Sequence, residues 1–155
     1  MKEMSHEKFT KMCRMLKLLL LVLQVFLAAE ALICIGDFIA DRSQLAAVEL
    51  PIRLVNLLSL AIASRFGSAA FRSMERSETP FLYDVSDKIK AAAQWLLGGS
   101  VLCSLYKGVV GLFGFDLFSS ELSFTGNLVS GMILFALVYV IERGCCLQKE
   151  SDETL

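Results

Sequence analysis

Four long apolar runs constrain the fold of this chain more than any other feature of its sequence. They are separated by polar segments and cover residues 18–40, 50–71, 89–113 and 122–141. A helix needs about 20 mostly apolar residues to cross the roughly 30 Å hydrocarbon core of a bilayer, and each run meets that length. Because lipid offers no hydrogen-bond partners to the backbone, each run is expected to be helical. The sequence therefore predicts an all-α, polytopic membrane protein with four transmembrane helices.

Two other interpretations of the runs are weaker. A soluble all-helical bundle would need a polar face on each helix, and the middles of these runs lack one. A secretory signal peptide would be cleaved near Ala29-Glu30-Ala31, but the first run continues beyond that point and exceeds the apolar core of a signal peptide. We therefore expect the first run to be retained as a membrane-spanning helix.

The distribution of bases predicts the orientation in the membrane. Bases lie before the first run, around the central loop and after the fourth run, at Lys2, Lys8, Lys11, Arg14, Lys17, Arg65, Arg72, Arg76, Lys88, Lys90, Arg143 and Lys149. Segment 37–49 has only Arg42 against three acids, and segment 114–123 has no base. Loops rich in Lys and Arg stay on the cytoplasmic side. Both termini and the central loop are therefore expected to be cytoplasmic, with the chain in the inner or plasma membrane.

The third helix is predicted to begin as an amphipathic segment over residues 80–90. Thr79 and Pro80 have the residue types favoured at an N-cap and at the first helical position. The apolar face then comprises Leu82, Val85, Ile89, Ala92, Ala93 and Leu96, and the polar face comprises Asp84, Ser86, Asp87, Lys88 and Lys90. This spacing is typical of a helix at the membrane interface. We expect one domain, 1–155, with helices at about 18–40, 50–71, 82–113 and 122–142 and a cytoplasmic tail at 143–155.

Two short motifs add a family resemblance. They are Pro80-Phe81 with Asp84 and Lys88-Ile89-Lys90, and Glu142-Arg143-Gly144 with the closing Glu153-Thr154-Leu155. Over the whole chain they resemble a bacterial inner-membrane family known as domain of unknown function 2975. Leu82 and Val85 depart from the family pattern, which has a hydroxyl residue and an asparagine there. The resemblance implies four spans and no activity, and the small helix-turn-helix regulators often encoded beside the family imply a regulatory protein as a cytoplasmic partner.

Three charged residues lie within the predicted spans, where a charge at a helix centre costs about 2.5–3.5 kcal/mol. At about 1.5 Å per residue, Glu30 lies roughly 18 Å into the first helix and Lys107 roughly 27 Å into the third. Arg53 lies near the outer end of the second helix. All three are expected in the outer half of the membrane, where Glu30 would pair with Arg53 or Lys107. We interpret the pair as structural, and the alternative is a proton- or ligand-responsive site.

Two faces rich in small residues predict close helix packing. The second helix carries Asn56, Ser59, Ala63, Gly67 and Ala70 on one face, and the third helix carries Gly108, Gly111 and Gly114. Small residues let helix backbones approach closely within a membrane. The contacts are compatible with packing within one chain or within a homo-oligomer.

No catalytic site, metal site or cofactor is predicted. His6 is the one histidine, which excludes a histidine-based triad or a multi-histidine metal site. Cys13, Cys145 and Cys146 are expected in the reducing cytoplasm, so no disulfide framework is predicted. The sequence has no phosphate-binding glycine loop. No direct nucleic-acid binding is expected.

The expected function is therefore non-enzymatic. It is a regulatory or partner-binding role through the cytoplasmic face, in a chain whose first partner is the lipid bilayer. The candidate binding residues are Glu30, Arg53, Lys107, Pro80 and Phe81. The alternative is a small proton-coupled transporter that uses Glu30, since four helices with a carboxylate in the first resemble the small multidrug transporters in outline.

Overall fold

The computed structural model describes residues 6–40, 44–77, 82–114 and 121–153. These ranges contain four α-helices and no strand: α1 (His6–Ala40), α2 (Gln44–Ser77), α3 (Tyr83–Gly111) and α4 (Glu121–Glu153). The shortest, α3, has 29 residues. At about 1.5 Å per residue every helix is therefore longer than the roughly 30 Å hydrocarbon core. The predicted all-α fold is confirmed.

The helices extend beyond the apolar runs. α1 begins at His6, and α2 begins at Gln44 and passes through Pro51. Proline has no backbone N–H, so Pro51 removes one hydrogen bond from the helix. α4 continues to Glu153, so the predicted tail is helical as far as the structure describes it. Polar residues thus prolong three of the helices beyond the length that a membrane requires.

The start of α3 differs from the prediction. Its N-cap is Leu82, in an extended conformation (φ -131°, ψ 138°), and no side chain caps the helix. The Leu82 carbonyl instead accepts hydrogen bonds from the N–H groups of Val85 and Ser86, each at 3.1 Å. The Leu82 side chain packs against the core, which fixes the entry of the chain into the helix. The predicted cap residues Thr79 and Pro80 lie outside the described residues.

The predicted apolar face of α3 is confirmed, and the polar face needs one correction. On the apolar face, every residue after Leu82 is buried: Val85, Ile89, Ala92, Ala93 and Leu96. Ser86, predicted on the polar face, is only 1% exposed because it bonds to α4. Asp84, Asp87 and Lys90 remain exposed.

Helices that follow one another in sequence pack side by side. α1 packs on α2, α2 on α3 and α3 on α4, and α2 also touches α4 slightly. Among the described residues α1 makes no close backbone approach to α3 or α4. Contacts between Lys88 and Ser73 and between Asn56 and Cys103 mark opposite ends of this antiparallel arrangement. We refer to these as the Lys88 end and the Asn56 end.

Close contacts within the chain use part of the predicted small-residue faces. Asn56, Ser59, Ala63 and Ala70 on α2 are buried as predicted. On α3 the close approach is at Gly99, where a Cβ atom would lie 2.0 Å from Ser59 Oγ. The predicted glycine face of α3 makes no such contact, since a Cβ on Gly108, Gly111 or Gly114 would meet nothing within 4 Å. Gly114, at φ +83°, instead lies in the turn that follows the helix.

Three helices are long and apolar enough to cross a membrane: Lys8–Ala40, Ala46–Ser77 and Thr125–Ser151. Only 11% of the most apolar stretch of the first is buried inside the protein. Large apolar side chains such as Leu32, Phe26 and Val140 are well exposed on these helices. Soluble monomers rarely expose apolar surface of this extent. The chain is therefore an α-helical membrane protein rather than a soluble bundle.

Candidate functional site

A groove of about 660 Å³ lies between α1, α2 and α4 toward the Asn56 end. Its polar lining comprises Glu30, Asp37, Arg53, Asn56, Asn127 and Ser130. Leu27, Leu57 and Leu60 contribute apolar surface. We refer to it as the α1–α2–α4 groove. It brings two predicted site residues, Glu30 and Arg53, together with other polar residues of all three helices.

Helical periodicity explains why these side chains share one groove. Glu30 and Asp37 are seven residues apart on α1, which places them on one face about 10.5 Å apart along the axis. Arg53 and Asn56 are three residues apart on α2, as are Asn127 and Ser130 on α4. Residues three or seven apart lie on one side of a helix. Each helix thus presents one polar edge to the groove.

The predicted ion pair of Glu30 does not form. Arg53 pairs instead with Glu49, one turn earlier on the same helix, with an Nη2–Oε2 distance of 3.1 Å. Lys107 lies half-buried on α3 and is not part of the groove lining. Within the described part of the chain, Glu30 and Asp37 make no hydrogen bond or ion pair. The prediction that Glu30 pairs with Arg53 or Lys107 is therefore wrong, because a closer acid already neutralises Arg53.

Asn56 connects three helices at the floor of the groove. It is 8% exposed, and its Oδ1 accepts hydrogen bonds from Cys103 Sγ at 3.5 Å and Asn127 Nδ2 at 3.4 Å. These contacts join α2 to α3 and α4. Helical spacing places Asn56 on a packing face, whereas Asp37, Asn127 and Ser130 were not predicted as part of a site. Isolated polar residues on the apolar runs are the signal that could have found them.

A second group of polar contacts joins all four helices at the Lys88 end. Glu75 on α2 pairs with Arg14 (3.5 Å) and Lys17 (3.7 Å) on α1. Lys88 on α3 donates to Ser73 on α2 at 2.5 Å. The Ser86 hydroxyl on α3 donates to Glu142 on α4 at 3.0 Å. We refer to these contacts as the four-helix polar cluster.

Two carboxyl-terminal cysteines near this cluster differ in exposure. Cys145 is buried in the core, whereas Cys146 is exposed and its Sγ lies 3.8 Å from the Tyr83 hydroxyl. The five cysteines are all free. The candidate residues Pro80 and Phe81 lie outside the described residues. No cluster of His, Cys, Asp and Glu among the residues that the structure describes has the size needed to hold a metal ion.

The fold and the exposed apolar surface define the class of this chain as an α-helical membrane protein with membrane-length helices. No protein-family model, no curated protein and no solved structure matches it. The resemblance to domain of unknown function 2975 therefore stays a prediction.

Proposed function

We propose that the chain is a four-span membrane protein that binds a regulatory protein at its cytoplasmic face and catalyses no reaction. The observation that carries the proposal is the extension of α4 as a helix to Glu153, beyond its apolar run. The four-helix polar cluster anchors that extension to the remaining helices through the Ser86–Glu142 hydrogen bond. A fixed helix outside the lipid is a suitable docking surface for a partner.

The packing of α3 supports its role as the fourth span. α3 begins at the Lys88 end and contacts Asn56 through Cys103 at the other end, with α2 and α4 on its flanks. Half of its buried residues are Ala, Ser or Gly, which let the neighbouring helices approach closely. Its exposed face still carries Val101, Leu102 and Leu105, as contact with lipid requires.

The charge distribution supports a cytoplasmic Lys88 end. Arg72, Arg76 and Lys90 are exposed there. The groove at the opposite end carries two acids, Glu30 and Asp37. Because basic segments stay in the cytoplasm, the Lys88 end and both chain termini are assigned to the cytoplasmic side.

The partner surface is assigned to the exposed face of the α4 extension. Arg143, Leu147 and Glu150 are spaced at i, i+4 and i+7, so they share one face of the helix. All three are exposed, and Leu147 is 52% exposed although it is apolar. Helices that dock in a groove of a partner insert exposed apolar side chains as anchors, and Leu147 is proposed as such an anchor. The family resemblance would add Pro80 and Phe81 to the same cytoplasmic surface.

Affinity capture tests this proposal. The full-length protein, isolated in mild detergent, is expected to retain a cytoplasmic protein that is lost when residues 144–155 are deleted. Leu147→Glu should reduce the captured amount about tenfold, because a charge replaces the apolar contact at the centre of the surface.

Gln148→Glu is the matched control, since it adds the same charge at the next exposed position on another face of α4. It should leave capture unchanged. Equal capture by the intact and the truncated protein, or enrichment of no cytoplasmic protein, would overturn the proposal.

A further inference from the structure

We propose that the α1–α2–α4 groove binds an amphiphilic amine. The ligand class is a protonated amine on an apolar body that also carries an acceptor oxygen, such as a carbonyl, ether or sulfonyl oxygen. The proposal is independent of the partner surface on α4, because the groove lies toward the opposite end of the helices.

The size and lining of the groove suit a small organic molecule. Its volume of about 660 Å³ lies within the roughly 300–1,000 Å³ that ligand pockets enclose. Leu27, Leu57 and Leu60 provide apolar contact from two helices. A limited number of polar groups beside such surface is the usual composition of a small-molecule site.

The charge of the groove selects a cation. Glu49 pairs with Arg53, which is the one base in the groove lining. Glu30 and Asp37 are left without a partner in the described part of the chain. The groove therefore carries an excess of negative charge that a ligand ammonium group would neutralise.

The spacing of the two acids favours an organic cation over a metal ion. Glu30 and Asp37 lie about 10.5 Å apart along the axis of α1. Hard cations require oxygen ligands at about 2.0–2.6 Å, so two carboxylates at this separation cannot share one ion without large side-chain movement. An ammonium group needs only one carboxylate, and Glu30 lies nearer the middle of the apolar run of α1 than Asp37 does.

Asn56 independently indicates a ligand with an acceptor oxygen. It is more than nine-tenths buried, and both described hydrogen bonds of its side chain use Oδ1. Its Nδ2 donor therefore has no acceptor within the described chain. Among the described residues, Ser68 Oγ is the one polar side-chain atom that is both fully inaccessible and without a partner. Nδ2 of Asn56 therefore keeps some accessible surface, and Asn56 lines the groove. A buried donor without an acceptor is costly, and a ligand oxygen would satisfy it.

Fluorescence titration with dansylcadaverine tests the proposal. This probe has a primary amine, sulfonyl oxygens and an apolar fluorophore whose emission rises in apolar surroundings. Purified full-length protein in detergent should bind it saturably. The neutral analogue N-pentyl dansylamide, which lacks the amine, should show only the linear partition that empty micelles show.

Two pairs of variants separate the charge of the groove from its shape. Glu30→Gln should weaken dansylcadaverine binding about tenfold or more, because it removes a charged hydrogen-bond acceptor. Asp87→Asn, which removes an exposed acid outside the groove, should leave binding unchanged. Gly126→Leu should also weaken binding by narrowing the groove, since Gly126 lines the groove and a Cβ there meets nothing within 4 Å. Gly98→Leu is its control, as Gly98 has the same open surroundings outside the groove.

Monodisperse elution and unchanged helical circular dichroism confirm that each variant is folded. Unchanged affinity in folded Glu30→Gln or in folded Gly126→Leu would overturn the proposal. Equal binding of the neutral analogue, or partition without saturation in the unmodified protein, would overturn it as well.

Discussion

Lys88 contributes more to the packing of the helices than its position on an amphipathic helix indicates. Its ammonium group donates to Ser73 on α2 and to Asp84 one turn earlier on α3. The hydrogen bond from Lys88 lowers the pKa of the Asp84 carboxyl below its ordinary value. The charged form of Asp84 is therefore favoured in the folded protein. This linkage stabilises the fold at pH values above the ordinary pKa of an aspartate and is lost as the pH falls through the folded-state pKa.

Lys88→Met should reveal this contribution through its pH dependence. The variant keeps an apolar stem but removes both hydrogen bonds, so its melting temperature in detergent should be lower than that of the unmodified protein. The difference should be constant between pH 7 and pH 5 and should narrow below about pH 4, where aspartates become protonated. Because Asp84 is exposed, the change will be small.

Lys90→Met is the control for this measurement, since Lys90 is exposed two residues away and has no partner within the described chain. Its melting temperature should track the unmodified protein at every pH. A Lys88→Met difference that stays constant down to pH 3 would contradict the assigned role of Asp84.

Single residues also show where sequence reasoning reached its limit. Glu30 and Arg53 were identifiable because charges in apolar runs are costly. The partner of Arg53 was not, because an acid one turn away on the same helix competes with an acid on another helix. Ser86 falls by periodicity on the polar face, yet it is buried because Glu142 on α4 accepts its hydrogen bond. Such pairings depend on the rotation of each helix about its axis, which one sequence does not determine.

At the scale of the helices, the close approach of α2 and α3 depends on Gly99. A Cβ on Gly99 would lie 2.0 Å from Ser59 Oγ and 2.7 Å from Ser59 Cβ. A side chain at Gly99 would therefore force α2 and α3 apart. The same position brings Cys103, one turn later, toward Asn56 at the floor of the groove.

Gly99→Ala should lower the free energy of unfolding by about 1–3 kcal/mol, which is the usual cost of overpacking. Gly98→Ala is the adjacent control, because a Cβ on Gly98 meets nothing within 4 Å. It should be neutral or slightly stabilising, as alanine has the higher helix propensity. Unfolding of both variants in mixed micelles measures the effect.

A second change makes this prediction specific to the contact. Ser59→Gly removes the atoms that clash, so the Gly99→Ala/Ser59→Gly double variant should recover part of the lost stability. A loss as large in Gly98→Ala as in Gly99→Ala would show that the α2–α3 contact is not the cause.

The helices were predictable from the sequence to different degrees. The small-residue face of α2 follows from helical spacing, and the structure buries most of it. The predicted glycine face of α3 makes no close contact within the chain, whereas Gly99 does. Spacing identifies which residues are aligned but not which neighbour they face. The helix ends beyond the lipid, such as the extension of α4 to Glu153, were also missed, since polar sequence lacks the signal that identifies a span.

At the scale of the whole molecule, one polar site lies toward each end of the helices. The four-helix polar cluster lies at the Lys88 end, and the α1–α2–α4 groove lies toward the Asn56 end. The all-helical fold and the membrane class follow from apolar runs alone. The groove does not, because it is formed by helices that are distant in sequence and depends on how α1 and α4 flank α2. The proposed four-span arrangement requires the two ends to lie on opposite sides of the bilayer.

Cysteine labelling of intact cells tests that requirement most directly. One variant retains only Cys146, which is exposed on the α4 extension, and the other carries only Leu112→Cys, at a position 87% exposed just after α3. A membrane-impermeant maleimide should label Leu112→Cys from outside and should reach Cys146 only after the cells are permeabilised. Labelling of Cys146 in intact cells, or of both positions from the same side, would contradict the four-span arrangement.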